Sequence, residues 1–126
     1  MHELSIAMSI VEMAEEEAVR RGVRVSAVHL KLGALAGVVK DALIFSYEIA
    51  CQGTTLEGSR LCIEDIPVVA YCPKCLGLRK IESVQWFVCS ECKSPVSDVV
   101  EGRELQVAAL EILELEHASA TAISGS

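Results

Sequence analysis

The sequence predicts an α+β fold carrying a four-cysteine zinc module, and three observations predict it. Two segments repeat apolar residues at helical spacing. Two others are rich in Val, Leu and Ile and alternate as strands do. Two Cys-x-x-Cys pairs follow, separated by residues 76–88.

Over residues 4–21, Leu4, Ala7, Met8, Val11, Ala14 and Ala18 recur at three- and four-residue steps, while Glu12, Glu15, Glu16 and Arg20 mark the wetter side of a helix. Gly22 after Arg20 and Arg21 is a C-terminal stop with cations in the last turn. Residues 23–35 are valine-rich, with Val28, Leu30 and Leu32 on one side and His29 and Lys31 on the other, a half-buried strand ending at Gly33 or Gly37. A second helix is expected over 41–51, with Ala42, Phe45 and Ile49 as its apolar line and Gly53 closing it. Residues 61–69 read as a strand, and Pro67 marks its exit from the sheet. Residues 105–115 fit two patterns. Leu105, Ala108, Ala109, Ile112 and Leu113 suit a helix, which propensity favours, yet Leu105, Val107 and Ala109 also alternate as a returning strand. Residues 116–126, mostly Ala, Ser, Thr and Gly, have little to bury and read as a flexible tail.

The chain has 126 residues, 52% of them hydrophobic, so one ordinary domain with a smaller metal-stapled module can form a core. Aromatic residues are few, leaving Leu, Ile, Val and Ala to fill it. A net charge of −7 argues against a nucleic-acid partner, because phosphate binding needs clustered Lys and Arg. The acidity is uneven: residues 67–100 set Lys74, Arg79, Lys80 and Lys93 against three acidic side chains. No apolar run reaches the roughly 18–20 residues of a membrane helix, and no basic region precedes an unbroken apolar stretch. The expected compartment is therefore cytoplasmic, where closely paired cysteines more often hold metal than form disulfides.

Cys72-Pro73-Lys74-Cys75 and Cys89-Ser90-Glu91-Cys92 have the spacing of two zinc knuckles. Two residues between cysteines let a tight turn present both sulfurs on one side. Two such turns, joined by a short hairpin within residues 78–88, close a tetrahedral shell with Trp86 and Phe87 in the hairpin core. Four protein ligands leave no open position, so such a zinc is structural rather than catalytic. A redox pair usually comes singly beside a βαβ unit, and an iron–sulfur cluster is the other four-thiolate alternative. Cys51 and Cys62 lie outside the motif and read as buried thiols.

The chain begins Met1-His2-Glu3. The Met1 amine, the His2 amide nitrogen and a His2 imidazole nitrogen can chelate one ion in consecutive five- and six-membered rings, a planar nitrogen set suited to Ni(II) or Cu(II). The bulk of His2 should discourage removal of Met1. Glu3 or Asp41 can complete or support the shell.

These residues together resemble the HypA/HybF family of hydrogenase nickel-insertion proteins: an initial Met-His-Glu, a leading amphipathic helix, and two Cys-x-x-Cys pairs late in a chain of this length. The resemblance runs over residues 1–115, with secondary matches at residues 28–33, at Gly53-Thr54 and at Leu61-Cys62-Ile63. It implies a nickel metallochaperone, not an enzyme, that delivers Ni(II) to the [NiFe]-hydrogenase large subunit precursor, with a HypB-type GTPase as nickel source or co-carrier. It implies nickel held by Met1, His2 and Glu3 with support from Asp41, and structural zinc held by Cys72, Cys75, Cys89 and Cys92. The implied fold is two helices on a three-stranded sheet with the zinc-ribbon module inserted before the last strand, which makes 105–115 a strand. In domain terms, 1–66 with 101–115 forms the nickel-binding part, 67–100 the zinc part and 116–126 the tail, in a monomer or homodimer. Some members carry histidines close to the zinc cysteines. This chain's other histidines are His29 and His117, read as a sheet-surface and a tail residue. The rival reading is a zinc-ribbon adaptor in transcription or translation. No nucleophile elbow, phosphate loop or His-Glu-x-x-His supports an enzyme.

Overall fold

The computed structural model describes residues 2–114. Met1, His117 and the tail at 116–126 lie outside the described residues. The element order is α1 (His2–Arg21), β1 (Val23–Gly33), α2 (Lys40–Cys51), β2 (Arg60–Ile66), β3 (Val68–Cys72), β4 (Gly77–Ile81), β5 (Asp98–Glu101) and β6 (Leu105–Glu114). The strands form two three-stranded sheets, ordered β2-β1-β6 and β4-β3-β5. An α+β fold with two helices and a four-cysteine cluster is thus present.

Contacts divide the chain into two compact units. One comprises Met1–Leu30, Val38–Cys62 and Val107–Ser126, the other Lys31–Gly37 and Ile63–Gln106.

In the first unit, α1 buries Ala7, Ile10, Val11, Ala14 and Ala18, a stripe at helical spacing whose alanines let α2 approach closely. The α2 face that is buried is Leu43, Tyr47 and Cys51, four residues apart. This corrects the expected line of Ala42, Phe45 and Ile49, since Phe45 is 63% exposed and Ile49 43%. Two series at three- and four-residue steps fit α2, and the bulkier aromatic with a polar end, Tyr47, takes the inside. There its hydroxyl donates to Ser59 Oγ at 2.7 Å, because Ser59 in turn donates to the Leu56 carbonyl at 2.6 Å. Met8, on the expected apolar side of α1, is likewise exposed. Glu15 of α1 ties the turn after α2, accepting from the Thr55 N–H at 3.0 Å and its hydroxyl at 3.2 Å.

Gly22 ends α1 with a φ of 66°, and β1 runs to Gly33. The strand expected over 61–69 is two strands broken at Pro67, which has no N–H to give a ladder. Residues 105–114 form a strand, so helix propensity loses to pairing with β1.

In the second unit, β3 is central and antiparallel to both β4 and β5. Its core is Val68, Ala70, Cys72, Ile81, Cys89 and Val96, with Phe87 packed against it. Gly33 closes tightly here: its N–H reaches the Glu104 carbonyl at 2.7 Å, and a Cβ would meet the Gly102 oxygen at 2.2 Å. The segment between the knuckles forms no hairpin of its own. β4 folds back onto β3, and a single bridge between Val88 and Pro95 closes the second knuckle. Trp86 is therefore 69% exposed rather than core.

Candidate metal centres

The cysteine cluster is built by two turns of the same design. In the first, the Leu76 N–H donates to the Cys72 carbonyl at 2.8 Å, and in the second the Lys93 N–H donates to Cys89 at 3.0 Å. Leu76 and Lys93 hold φ values of 59° and 62°, the left-handed bend that turns the chain away after each second cysteine. Backbone N–H groups point at the sulfurs: Cys75 N to Cys72 Sγ at 3.4 Å, and Glu91 N and Cys92 N to Cys89 Sγ at 3.3 and 3.5 Å.

The four ligand atoms lie within 4.8 Å of one another. Cys72 Sγ is 3.7 Å from Cys92 Sγ, and Cys75 Sγ is 3.8 Å from Cys89 Sγ. A tetrahedron with metal–sulfur bonds of about 2.3 Å has edges of about 3.8 Å, so the thiols already stand at the corners of such a shell. As thiols, Cys92 is drawn down to about 6 by the Ser94 hydroxyl and N–H, and Cys89 is lowered by the N–H groups of Cys92 and Glu91. Cys75 is pushed up to about 12, first by its hydrogen bond with Cys92. Metal ligation requires the thiolate, so a cation bound here would displace the thiol protons. Ser94 was not singled out in the sequence, though a hydroxyl two residues past a knuckle cysteine is a signal for it.

Of the expected nickel residues, His2 is exposed at the first position of α1. Glu3 is buried, at 8% exposure, and its Oε2 accepts the Val39 N–H at 3.1 Å. Val39 is the N-cap of α2 and makes no side-chain cap, and Glu3 supplies from another helix the oxygen that the third-residue Glu of a capping box would give to the N-cap N–H. That N–H is the largest of several contributions that hold the Glu3 carboxyl at about 2. Asp41 lies exposed in the first turn of α2, two residues beyond the anchored Val39. The structure thus brings Glu3 to the helix start that carries Asp41.

His29 pairs with Glu111 at 2.5 Å on the exposed part of the sheet, and Arg60 reaches the same carboxylate at 3.4 Å. Glu111 is held below the usual carboxylate range by His29 and then by the Arg60 charge. Cys51 and Cys62 are free thiols, the first buried and the second partly so. Among the described residues, no helix is long and apolar enough to cross a membrane.

The profile of the family described as "Hydrogenase/urease nickel incorporation, metallochaperone, hypA" matches residues 1–112. The chain is similar to the hydrogenase maturation factor HypA of Roseiflexus sp., 50% identical over 112 residues covering 88% of this chain and 91% of that one. It is 52% identical to that of Chloroflexus aurantiacus over 112 residues, 88% of this chain and 98% of the other. A solution structure of the Ni metallochaperone HypA from Helicobacter pylori matches at a TM-score of 0.60 and 25% identity, covering 90% and 98% of the two chains.

Proposed function

The chain belongs to the HypA family of hydrogenase/urease nickel-incorporation metallochaperones, and from that premise we propose that it carries Ni(II) at its N-terminus and zinc in its four-cysteine cluster. Metallochaperones of this family bind and deliver metal rather than catalyse a reaction.

The terminal site is Met1, His2 and Glu3, with Asp41 in support. What supports this reading is the anchoring of Glu3, whose oxygen is tied to the Val39 N–H at the start of α2, while the neighbouring His2 is exposed. An exposed terminal chelate suits a carrier. Its planar nitrogen set leaves faces open, so a recipient can replace ligands one at a time.

The cluster of Cys72, Cys75, Cys89 and Cys92 holds zinc as a structural ion. Tetrahedral sulfur spacing and the absence of an open position support zinc over a catalytic or redox metal. Zinc here supplies cross-linking energy, and the cysteines, their N–H donors and the two left-handed turns supply the shape. The zinc-ribbon module then acts as a rigid platform for partners. Those partners are a HypB-type GTPase and the [NiFe]-hydrogenase large subunit precursor, met in the cytoplasm.

The test is a Ni(II) titration of zinc-loaded protein with its native N-terminus, beside His2→Ala and a form with one extra residue before Met1. Both changes should abolish a one-to-one nickel site while zinc stays bound. Equal nickel binding by all three proteins would sink the terminal site and favour the zinc-adaptor reading.

A further inference from the structure

The sheet ordered β2-β1-β6 has two edges, and they are built differently. β2, at one edge, carries Arg60, Glu64 and Asp65 and stops before Pro67, features that discourage a further strand from pairing. β6, at the other, has β1 on one side and, among the described residues, no strand on the other. Over residues 107–113, all within the first unit, it reads Val-Ala-Ala-Leu-Glu-Ile-Leu, with no Lys, Pro or Gly. Ile112 is 41% exposed and Leu113 56%. An edge strand turns a row of N–H and C=O groups outwards, so this edge is both apolar and open to hydrogen bonding.

The charges beside it are paired within the chain. Glu111, the one charged residue of the segment, meets His29 Nε2 at 2.5 Å and Arg60 Nη2 at 3.4 Å. Glu17 of α1 lines a groove of about 340 Å³ between α1 and β6, and it is held by Arg20 and by Arg21. The chain as a whole stands at −7, so two copies repel in general. A strip whose carboxylates are already paired adds little to that repulsion.

The segment also complements itself. A two-fold axis through Leu110, normal to the sheet, runs β6 antiparallel to its copy. It sets Val107 against the copy's Leu113, Ala108 against its Ile112 and Ala109 against its Glu111. Facing residues in such a ladder share a face of the sheet. Away from the axis each larger side chain meets a smaller one, and Glu111 never faces Glu111.

We propose that the open edge of β6 is an interface with a second copy of this chain. Residues 107–113 pair antiparallel about a two-fold axis at Leu110 and join two three-stranded sheets into one of six strands. A two-fold contact uses the same patch on both copies, so pairing ends at the dimer. The interface does not depend on which metal the chain carries.

The experiment follows the full chain by sedimentation velocity over a concentration series, beside Leu113→Lys and Val107→Glu. Circular dichroism checks that each variant keeps its helices. The wild type should form a dimer as concentration rises. Each variant sets a charge against an apolar residue at two symmetric places and should weaken the dimer about 10-fold or more. Native mass spectrometry of an equal mixture should show a one-to-one heterodimer, because the new lysine of one copy then faces the new glutamate of the other. A wild type that is monomeric at every concentration overturns the proposal. Folded variants that dimerise like the wild type overturn it too, as does a mixture no tighter than either variant alone. If the wild type is monomeric and removal of residues 116–126 makes it dimerise, the chain's own tail covers the edge and a second copy is not its occupant.

Discussion

Leu76 and Lys93 each follow the second cysteine of a knuckle, and each takes a left-handed backbone that a side chain opposes. For an L-residue this conformation costs roughly 1–2 kcal/mol. Leu76 is 75% exposed, so its side chain returns little of that in packing. Leu76→Gly should therefore raise the stability of the zinc-loaded protein by about 0.5–1 kcal/mol, after glycine's extra chain entropy is subtracted. Leu76→Val should lower it, since branching at Cβ makes the left-handed region worse. Thermal unfolding of the three proteins checks both, and an unstable glycine variant would show that the leucine has a role beyond the turn. The cysteines were legible because four ligands of one kind at fixed spacing mean little else.

At the scale of the element, the start of α2 depends on a residue thirty-six positions away. Glu3 caps it through the Val39 N–H, and that bond is the largest of the contributions that hold its carboxyl at about 2 against an ordinary 4.5. The folded value is depressed, so the charged carboxylate stabilises the fold above about pH 4.5, and the contribution drains away as pH falls towards 2. In nickel-free protein, Glu3→Gln should flatten the acid limb of the stability curve in that window and be the less stable protein at pH 7. Urea midpoints followed by the helical signal measure this, and parallel curves for the two proteins would remove Glu3 as the cap. Helix positions could be read from periodicity, whereas the buried face of α2 could not, because Ala42-Phe45-Ile49 and Leu43-Tyr47-Cys51 are equally regular. The site for the Tyr47 hydroxyl decided between them, and Ser59 lies on a later turn that no helical period reports. Residues 105–114 were ambiguous for a related reason: pairing with β1 is a tertiary fact.

At the scale of the whole molecule, the two units have separate cores, and only one contains the four knuckle cysteines. Both helices belong to the other. Removing zinc with a chelator should therefore release amide protection in β3 and β4 while α1 and α2 remain protected, as read by hydrogen exchange. Simultaneous loss of protection in the helices would mean that the chain folds as one cooperative body. The same division bears on cargo. α1 begins at His2, and the leading N–H groups of a helix have no carbonyl within the helix to bind. Nickel in the proposed chelate takes the His2 nitrogen by displacing its proton, and no rung of α1 is broken when it does. The amidate so formed is an anion placed at the positive pole of a twenty-residue macrodipole, where negative charge is favoured. The metal thereby occupies the place of a helix cap, and the protein can take up or surrender its ion without refolding anything.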